Sequence, residues 1–166
     1  MTVPVGGLTD NLGLGSAEGP HALAFELGDH RLAAVTGSGS GVVEIESWTR
    51  VPTAPPYVLG IANAQGRILT LVDLRAPLGV AQRPWSLPLR ALALGGGQPR
   101  VAVAIERALS FGQFEPLEDA AEPDSSLSGF AVGEVDVAGQ QATLIDFPAV
   151  LASLREESLQ QKQPVR

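Results

Sequence analysis

The sequence has 166 residues, a net charge of −7 and a hydrophobic content of 45%, so a folded domain with its own core is expected rather than disorder. The acidic balance leaves no basic stripe to neutralise phosphates, which excludes a typical nucleic-acid binder and disfavours an anionic membrane surface. The absence of cysteine excludes disulfides, thiolate metal sites and cysteine nucleophiles. No signal-peptide pattern and no apolar run near the ~20 residues of a membrane helix are present, so a cytoplasmic location is expected.

The segments after the N-terminus alternate between short apolar runs and turns. Residues 1–20, which are rich in glycine and small residues, predict a flexible arm. From Ala22 onward, four pairs of apolar runs are each joined by a glycine-containing turn, which is typical of β-hairpins. Helical periodicity is nearly absent before residue 147, so the chain is predicted to be all-β.

The C-terminal segment has a different pattern. Asp146 fits an N-cap and is soon followed by Pro148, in the first turn, where proline is tolerated. Val150, Leu151 and Leu154 form one apolar stripe. We predict a helix from about residue 148 to about residue 160, packed on the β core and followed by a frayed tail.

Other polar segments match no catalytic or metal-binding pattern. The alternating glycines within residues 33–47 do not open a helix, as a dinucleotide fingerprint requires. The acidic residues 115–124 lack the alternating ligands and central glycine of a calcium loop. His21 and His30 have no nucleophile motif beside them. The sequence therefore predicts no metal, no cofactor and no catalytic residues.

The stretch GIANAQGRILTLVDLRAPLG, residues 60–79, predicts two strands around a tight turn and then a polar Asp-Leu-Arg step. Gly66 suits the positive φ of such a turn. The nearly continuous apolar run from Ile68 to Val72 predicts a strand buried on both faces. Asp73 is expected to cap the turn that follows. From the residues alone, this is a hairpin with a capped exit and no chemistry.

The order of the segments resembles the CheW family of bacterial chemosensory adaptors. GIANAQGRILTLVDLR is similar to the family pattern of a glycine, a small apolar pair, Asn-Leu-Arg-Gly, a hydrophobic strand and Asp-Leu-Arg. FELGDHRLA resembles the family's first hairpin, PRVAVAIERALSF a second-lobe strand, and GFAVGEVDVAGQQATLIDFPAVLASL the closing hairpin and helix. The resemblance covers residues 21–155, and the shared order of the motifs makes it specific.

The resemblance implies an all-β fold of two intertwined five-stranded SH3-like β-barrels with a C-terminal α-helix. Residues 21–155 would form a single CheW-like domain, with lobes near 21–82 and 83–147 that can exchange strands. Residues 148–166 would form the C-terminal helix and tail.

The resemblance also implies a non-catalytic scaffold in a chemosensory or motility pathway. It would couple the cytoplasmic tip of a chemoreceptor, a methyl-accepting chemotaxis protein, to the regulatory domain of a CheA-type histidine kinase, in the cytoplasm and associated with receptor arrays. Neither nucleic acid nor direct membrane insertion is expected. Asp73 and Arg75 are expected to be structural. Carried over to this chain, the family's partner-binding turn and the glycine before it correspond to Gly60, Asn63, Gln65, Gly66 and Arg67.

Two departures from the family pattern leave alternatives open. Gln65 stands where the family has arginine, so a charged, forked donor is missing. Residues 37–41 are glycine and serine where the family has an apolar strand, and they offer little area to bury at ~25 cal/mol per Å². One alternative is a divergent accessory protein that binds the receptor but has lost kinase binding. The other is a small β-barrel enzyme or a nucleotide- or ligand-binding protein that uses the Gly-Ser loop.

Overall fold

The computed structural model describes residues 20–36, 41–94, 100–118, 127 and 129–162. The N-terminal arm up to residue 19, residues 37–40 of the Gly-Ser loop, residues 119–124 of the acidic segment and the final residues 163–166 lie outside this part of the chain. The described elements are β1 (His21–Leu27), β2 (His30–Thr36), β3 (Gly41–Ile45), β4 (Val58–Ala64), β5 (Arg67–Val72), β6 (Leu89–Leu94), β7 (Val101–Ile105), β8 (Arg107–Pro116), β9 (Ala131–Val137), β10 (Gln140–Ile145) and α1 (Phe147–Lys162).

All four predicted hairpins are present. β1 pairs with β2, β4 with β5, β6 with β7 and β9 with β10, each antiparallel. Three of these hairpins have two-residue turns, and their glycines Gly28, Gly66 and Gly139 have positive φ, which glycine adopts without steric cost. Local turn chemistry therefore determines these pairings.

The strands form two five-stranded sheets of matching design. The first closes into a barrel in the order β1-β2-β10-β9-β8, and the second has the order β3-β6-β7-β5-β4. The β2–β10 and β5–β7 pairs are parallel, so in each sheet a hairpin is joined to the rest through one parallel pair. The edges of the second sheet meet where the backbones of Thr49 and Ile61 exchange hydrogen bonds of 2.8 and 2.9 Å.

The two sheets exchange segments of the chain. The second sheet is built from residues 41–105, whereas the first combines β1 and β2 with β8, β9 and β10. The boundaries between the sheets therefore fall near residues 41 and 105 rather than near residue 82. The predicted fold of two intertwined five-stranded β units with a C-terminal helix is confirmed.

Alanines share the interior of each sheet with larger residues such as Leu71 and Phe114, and a third cluster of mostly large residues lies between the sheets. Ala22, Ala24 and Ala33 lie inside the first barrel, and Ala102 and Ala104 lie inside the second sheet. A five-stranded barrel has a narrow interior, which alanine suits. The alternate positions of the same strands contribute to one core shared by both sheets; its members include Leu23, Phe25, Leu27, Leu32, Leu92, Val103 and Ile105.

Helix α1 follows the last strand directly, as predicted. The carboxylate of Asp146 accepts a hydrogen bond of 3.1 Å from the backbone N–H of Ala149, which satisfies one free donor of the first turn. Val150 is buried in the shared core, and Leu151 and Leu154 pack against it. Within the described residues, no helix has the length and apolar character needed to cross a membrane.

Candidate functional site

A two-residue turn at Gln65 and Gly66 joins β4 to β5. Their φ angles are 55° and 81°, and positive φ at both central positions is the pattern of a type I′ hairpin turn. The side-chain Oδ1 of Asn63 accepts a 3.1 Å hydrogen bond from the backbone N–H of Gly66. Gln65, Gly66 and Arg67 are all exposed. The 63–67 turn is therefore a preformed projection with its polar side chains facing solvent.

An exposed apolar surface lies beside the turn, and we call its residues Ile61, Asn63, Ile68 and Thr70 the β4–β5 face. The register pairs Ile61 with Thr70 and Asn63 with Ile68, so all four share one face of the hairpin. Ile68 is 63% exposed and Ile61 is 41% exposed. The face combines two accessible branched apolar side chains with an amide and a hydroxyl.

The exposure of Ile68 corrects the prediction that the run 68–72 is buried on both faces. Leu69 and Leu71 do lie in the core of the second sheet, and Val72 lies in the shared core. Ile68, however, points to the side of its cross-strand partner Asn63. The signal was available in the sequence, because a two-residue turn at 65–66 fixes this pairing. The same alternation places Arg67 on the other face of the strand.

Gly60 is buried, so it offers little surface for a direct contact with a partner. A Cβ at this position would lie 2.3 Å from the carbonyl oxygen of Thr49 and 2.9 Å from Cδ1 of Trp48. It sits beside the register shift of β4, next to the Thr49–Ile61 bridge that joins the edges of the second sheet. Gly60 therefore shapes the base of the β4–β5 hairpin.

Asp73 and Arg75 form a buried ion pair at the other end of β5. Nε and Nη2 of Arg75 donate hydrogen bonds of 3.0 and 2.8 Å to the two carboxylate oxygens of Asp73. The backbone N–H of Arg75 also donates to Asp73 Oδ1, at 3.0 Å, so the carboxylate closes the turn as well. Arg75 is only 3% exposed. These contacts make both residues part of the scaffold.

Glu106, which the sequence did not single out, and Trp85, whose sequence position suggested packing in the core or between the lobes, complete this network. Nη1 of Arg75 donates to Oε2 of Glu106 at 3.2 Å, and the other oxygen of Glu106 accepts a 2.7 Å hydrogen bond from the backbone of Gly28. The indole Nε1–H of Trp85 donates to Asp73 at 3.0 Å, and its ring lies 3.9 Å from the guanidinium carbon of Arg75. The network joins the β1–β2 turn of the first barrel to the end of β5 in the second sheet.

The charges of this network are matched. Burial acts to raise the pKa of Asp73, but the hydrogen bonds from Arg75 and Trp85 outweigh it and hold that pKa below its ordinary value. Burial likewise acts to lower the pKa of Arg75, but Asp73 and Glu106 raise it. The ion pair therefore stays charged at neutral pH.

The predicted site residues thus fall into two separate groups. The 63–67 turn and the Asp73–Arg75 pair lie at opposite ends of β5, whose six residues span roughly 20 Å. In the described ranges, no group of three or more histidine, aspartate and glutamate side chains is arranged to hold a metal ion. The 63–67 turn and the β4–β5 face remain exposed to solvent.

Comparisons with known proteins agree with this description. The family model of the CheW-like domain matches residues 21–155. The chemotaxis protein CheW of Rhizobium meliloti (strain 1021) is 29% identical over 149 residues, which cover 84% of this chain and 92% of the relative. A probable chemotaxis protein CheW of Rhizobium etli is 38% identical over 61 residues, covering 35% of this chain and 37% of the relative.

A solved structure shows the same fold. The scaffolding protein TtCheW from Thermoanaerobacter tengcongensis aligns with a TM-score of 0.58 at 19% identity, covering 76% of this chain and 88% of that one. The family model and the curated relatives place the chain in the chemotaxis scaffold class, and the solved structure shows the same fold. The chain belongs to the CheW-like family, whose model spans most of its length.

Proposed function

We propose that this chain couples the cytoplasmic tips of chemoreceptors to the regulatory domain of a CheA-type histidine kinase, as a non-catalytic adaptor in the cytoplasm. The family match across residues 21–155 supports this role. The β4–β5 face and the 63–67 turn are the surface through which we propose that one partner is bound. The role requires binding surfaces only and no group that makes or breaks a bond.

The observation that carries the proposal is the exposure of Ile68 and Ile61 beside a rigid, polar turn. Burying apolar area contributes about 25 cal/mol per Å², so branched side chains at the centre of a contact are strong anchors. A stable interface covers ~800 Å² on each partner, which the flanking turn and strands would supply. The turn is already held by the Asn63–Gly66 hydrogen bond, so little ordering is required on binding.

The test is a calorimetric titration of the chain with a CheA-type regulatory domain and, in parallel, with receptor-tip fragments. Ile68→Asp places a charge at the centre of the β4–β5 face. Val132→Asp is the matched control, because Val132 is 64% exposed, against 63% for Ile68, but lies on β9 of the other sheet. We expect Ile68→Asp to weaken the affinity for one partner by at least about tenfold, or ~1.4 kcal/mol.

Each result has a distinct meaning. Binding of both partners by the unmodified chain, and loss of one through Ile68→Asp alone, would support the adaptor and its surface. Binding to the receptor but not to the kinase would replace the adaptor role with that of the divergent accessory protein, in which Gln65 has removed a kinase contact. No binding to either partner would overturn the coupling role. Equal losses in the two variants would reject the β4–β5 face as the contact.

A further inference from the structure

A second surface feature is a cleft of about 310 Å³ between the segment that precedes β6 and the start of β8. Leu89 and Ile105 contribute its apolar lining. Three arginines, Arg83, Arg90 and Arg107, also line it. We call this feature the arginine cleft. It lies away from the 63–67 turn, and neither the turn nor the β4–β5 face contributes to its lining.

The lining of the arginine cleft is rich in cations compared with the rest of this acidic chain. The chain has 11 lysines and arginines against 18 acidic residues, yet three of those cations line one cleft. Glu106 is the one acidic residue among the lining residues. Both of its carboxylate oxygens are already engaged, by the Gly28 backbone and by Arg75. The lining itself therefore holds three cations and one engaged carboxylate, while Asp29 and Glu26 at the rim pair with Arg83 and Arg107.

The three arginines are available to an external anion. The Arg90 side chain makes no ion pair among the described residues, although Glu44 lies directly opposite it on the neighbouring strand β3. Arg83 pairs with Asp29 at 2.8 Å, but these side chains are 63% and 76% exposed. Arg107 pairs with Glu26 at 3.0 Å and is also exposed. Such surface pairs contribute about 0–1 kcal/mol, so a partner carboxylate can replace them at little cost.

The wall of the cleft is held in place before binding. Residues 81–88 have no regular secondary structure. Trp85 nevertheless fixes this segment through its hydrogen bond to Asp73 and its stacking on Arg75. Leu87, two residues further on, is 53% exposed. Anchoring of this kind reduces the ordering cost that a flexible loop would add to binding.

We propose that the arginine cleft binds an acidic segment of a partner protein, with carboxylates placed on Arg83, Arg90 and Arg107 and an apolar side chain placed against the exposed Leu87. Arginine presents a planar fork that matches carboxylate geometry, which suits it to this recognition. Because the chain has a net charge of −7, three arginines gathered at one cleft favour this site for an acidic partner, which also fixes its orientation. This inference deepens the proposed coupling role, on which it rests, by naming the chemistry of one partner contact.

The experiment compares variants of the full chain in which arginines inside or outside the cleft are replaced. Arg90→Glu with Arg107→Glu removes the positive region, and Arg90→Gln is the milder variant that guards against misfolding. Arg155→Glu, on the exposed side of α1, is the control for a charge reversal outside the cleft. Each variant is titrated with the receptor-tip fragment and with the kinase regulatory domain, at about 0.1 M and about 1 M NaCl, where the Debye length falls from ~10 Å to ~3 Å.

We expect the double variant to lose at least roughly tenfold in affinity for one partner at the lower salt concentration, while Arg155→Glu keeps its affinity. The difference between the unmodified chain and the double variant should shrink at high salt. Unchanged affinity of the double variant for both partners would overturn the proposal, and so would an equal loss in Arg155→Glu.

A second readout does not depend on the coupling role. NMR spectra of the full chain are recorded with a short peptide of alternating glutamate and leucine, and with the same peptide carrying lysine for glutamate. Shifts of the Arg90 side chain and of the Leu89 and Ile105 amides with the acidic peptide alone would support the cleft, even if neither array partner binds. Shifts with neither peptide, or with both alike, would reject it.

Discussion

At the scale of single residues, Gly60 shows how a backbone contact can demand one amino acid. The position lacks room for even one methyl group, because the atoms that a Cβ would meet at 2.3 and 2.8 Å belong to the backbone of Thr49. A flexible side chain could rotate away, but a backbone in a β bridge cannot move without loosening the Thr49–Ile61 pair. The glycine is therefore part of what joins the edges of the second sheet.

Replacing Gly60 with alanine should lower the free energy of unfolding by about 1–3 kcal/mol, the usual cost of overpacking a tight site. Gly133→Ala on β9 is the matched control, since a Cβ there meets nothing within 4 Å and its φ is unexceptional. Urea denaturation of the two variants measures the difference. Equal stability of the two would show that the β4 hairpin adjusts to a methyl group at position 60.

The Asp73–Arg75 pair gives the stability of the protein a pH dependence of known sign. The folded pKa of Asp73 lies below its ordinary value of 3.8, so the charged carboxylate favours the folded state. That contribution is fully present above the unfolded pKa and is lost as the pH falls through the folded pKa. Acid should therefore remove part of the stability of the unmodified chain below about pH 4.

Asp73→Asn should remove that acid-sensitive component and destabilise the protein by roughly 3 kcal/mol at neutral pH, because Arg75 would remain buried with only Glu106 as a charged partner. Denaturant unfolding of both proteins between neutral pH and pH 3 measures both effects. A variant whose stability falls with acid as steeply as that of the unmodified chain would mean that other carboxylates control the acid response.

The same residues show what the sequence could and could not predict about the site. The turn was predictable, because Gly66 and the flanking strands are close in sequence and the turn chemistry is local. The hydrogen bonds from Arg75 to Glu106 and from Trp85 to Asp73 could not be predicted, because the partners are 31 and 12 positions apart in the sequence. Predicting that Ile68 faces solvent required the register of the hairpin, because its apolar character alone suggests burial.

At the scale of elements, the difference between local and distant pairing explains which strand pairings could be predicted from the sequence. The four hairpins and the capped helix are marked by neighbouring turn and cap residues. β8 carries no such mark, because its ten residues alternate irregularly between exposed and half-buried positions and its pairing with β1 is interrupted by a register shift. The parallel pairs β2–β10 and β5–β7 join strands that are distant in the chain, and no local pattern specifies them.

The pattern of residues within the shared strands also has an explanation at this scale. β1, β2, β6 and β7 are apolar on both faces because one face lines a sheet interior and the other meets the opposite sheet. Alanine alternates with larger residues along β1 and β7, which separates the narrow interiors from the broad shared core. This pattern is typical of a strand that is covered on both faces and lies between two layers.

At the scale of the whole molecule, the largest hydrophobic cluster belongs to neither sheet alone. It combines Phe25 and Leu32 of the first barrel with Leu92 and Ile105 of the second sheet, and Phe147 of α1 completes it. Removing either sheet would expose this surface to water. The two sheets are therefore expected to unfold together in one cooperative transition, although residues 41–105 contain every strand of the second sheet.

Phe25→Ala tests this coupling, because Phe25 lies on the first barrel, whereas Trp48 packs on the core of the second sheet and Trp85 packs on that core and on the shared core. The substitution should cost about 3–5 kcal/mol. The unfolding midpoints measured by tryptophan fluorescence and by far-UV circular dichroism should move together to lower denaturant concentration. Phe111→Ala is the control, since Phe111 is 60% exposed and its loss should move neither midpoint appreciably. If tryptophan fluorescence kept its original midpoint while circular dichroism split into two phases, the second sheet would be an independent folding unit, and the shared core would not be the element that holds the binding surfaces in fixed relation.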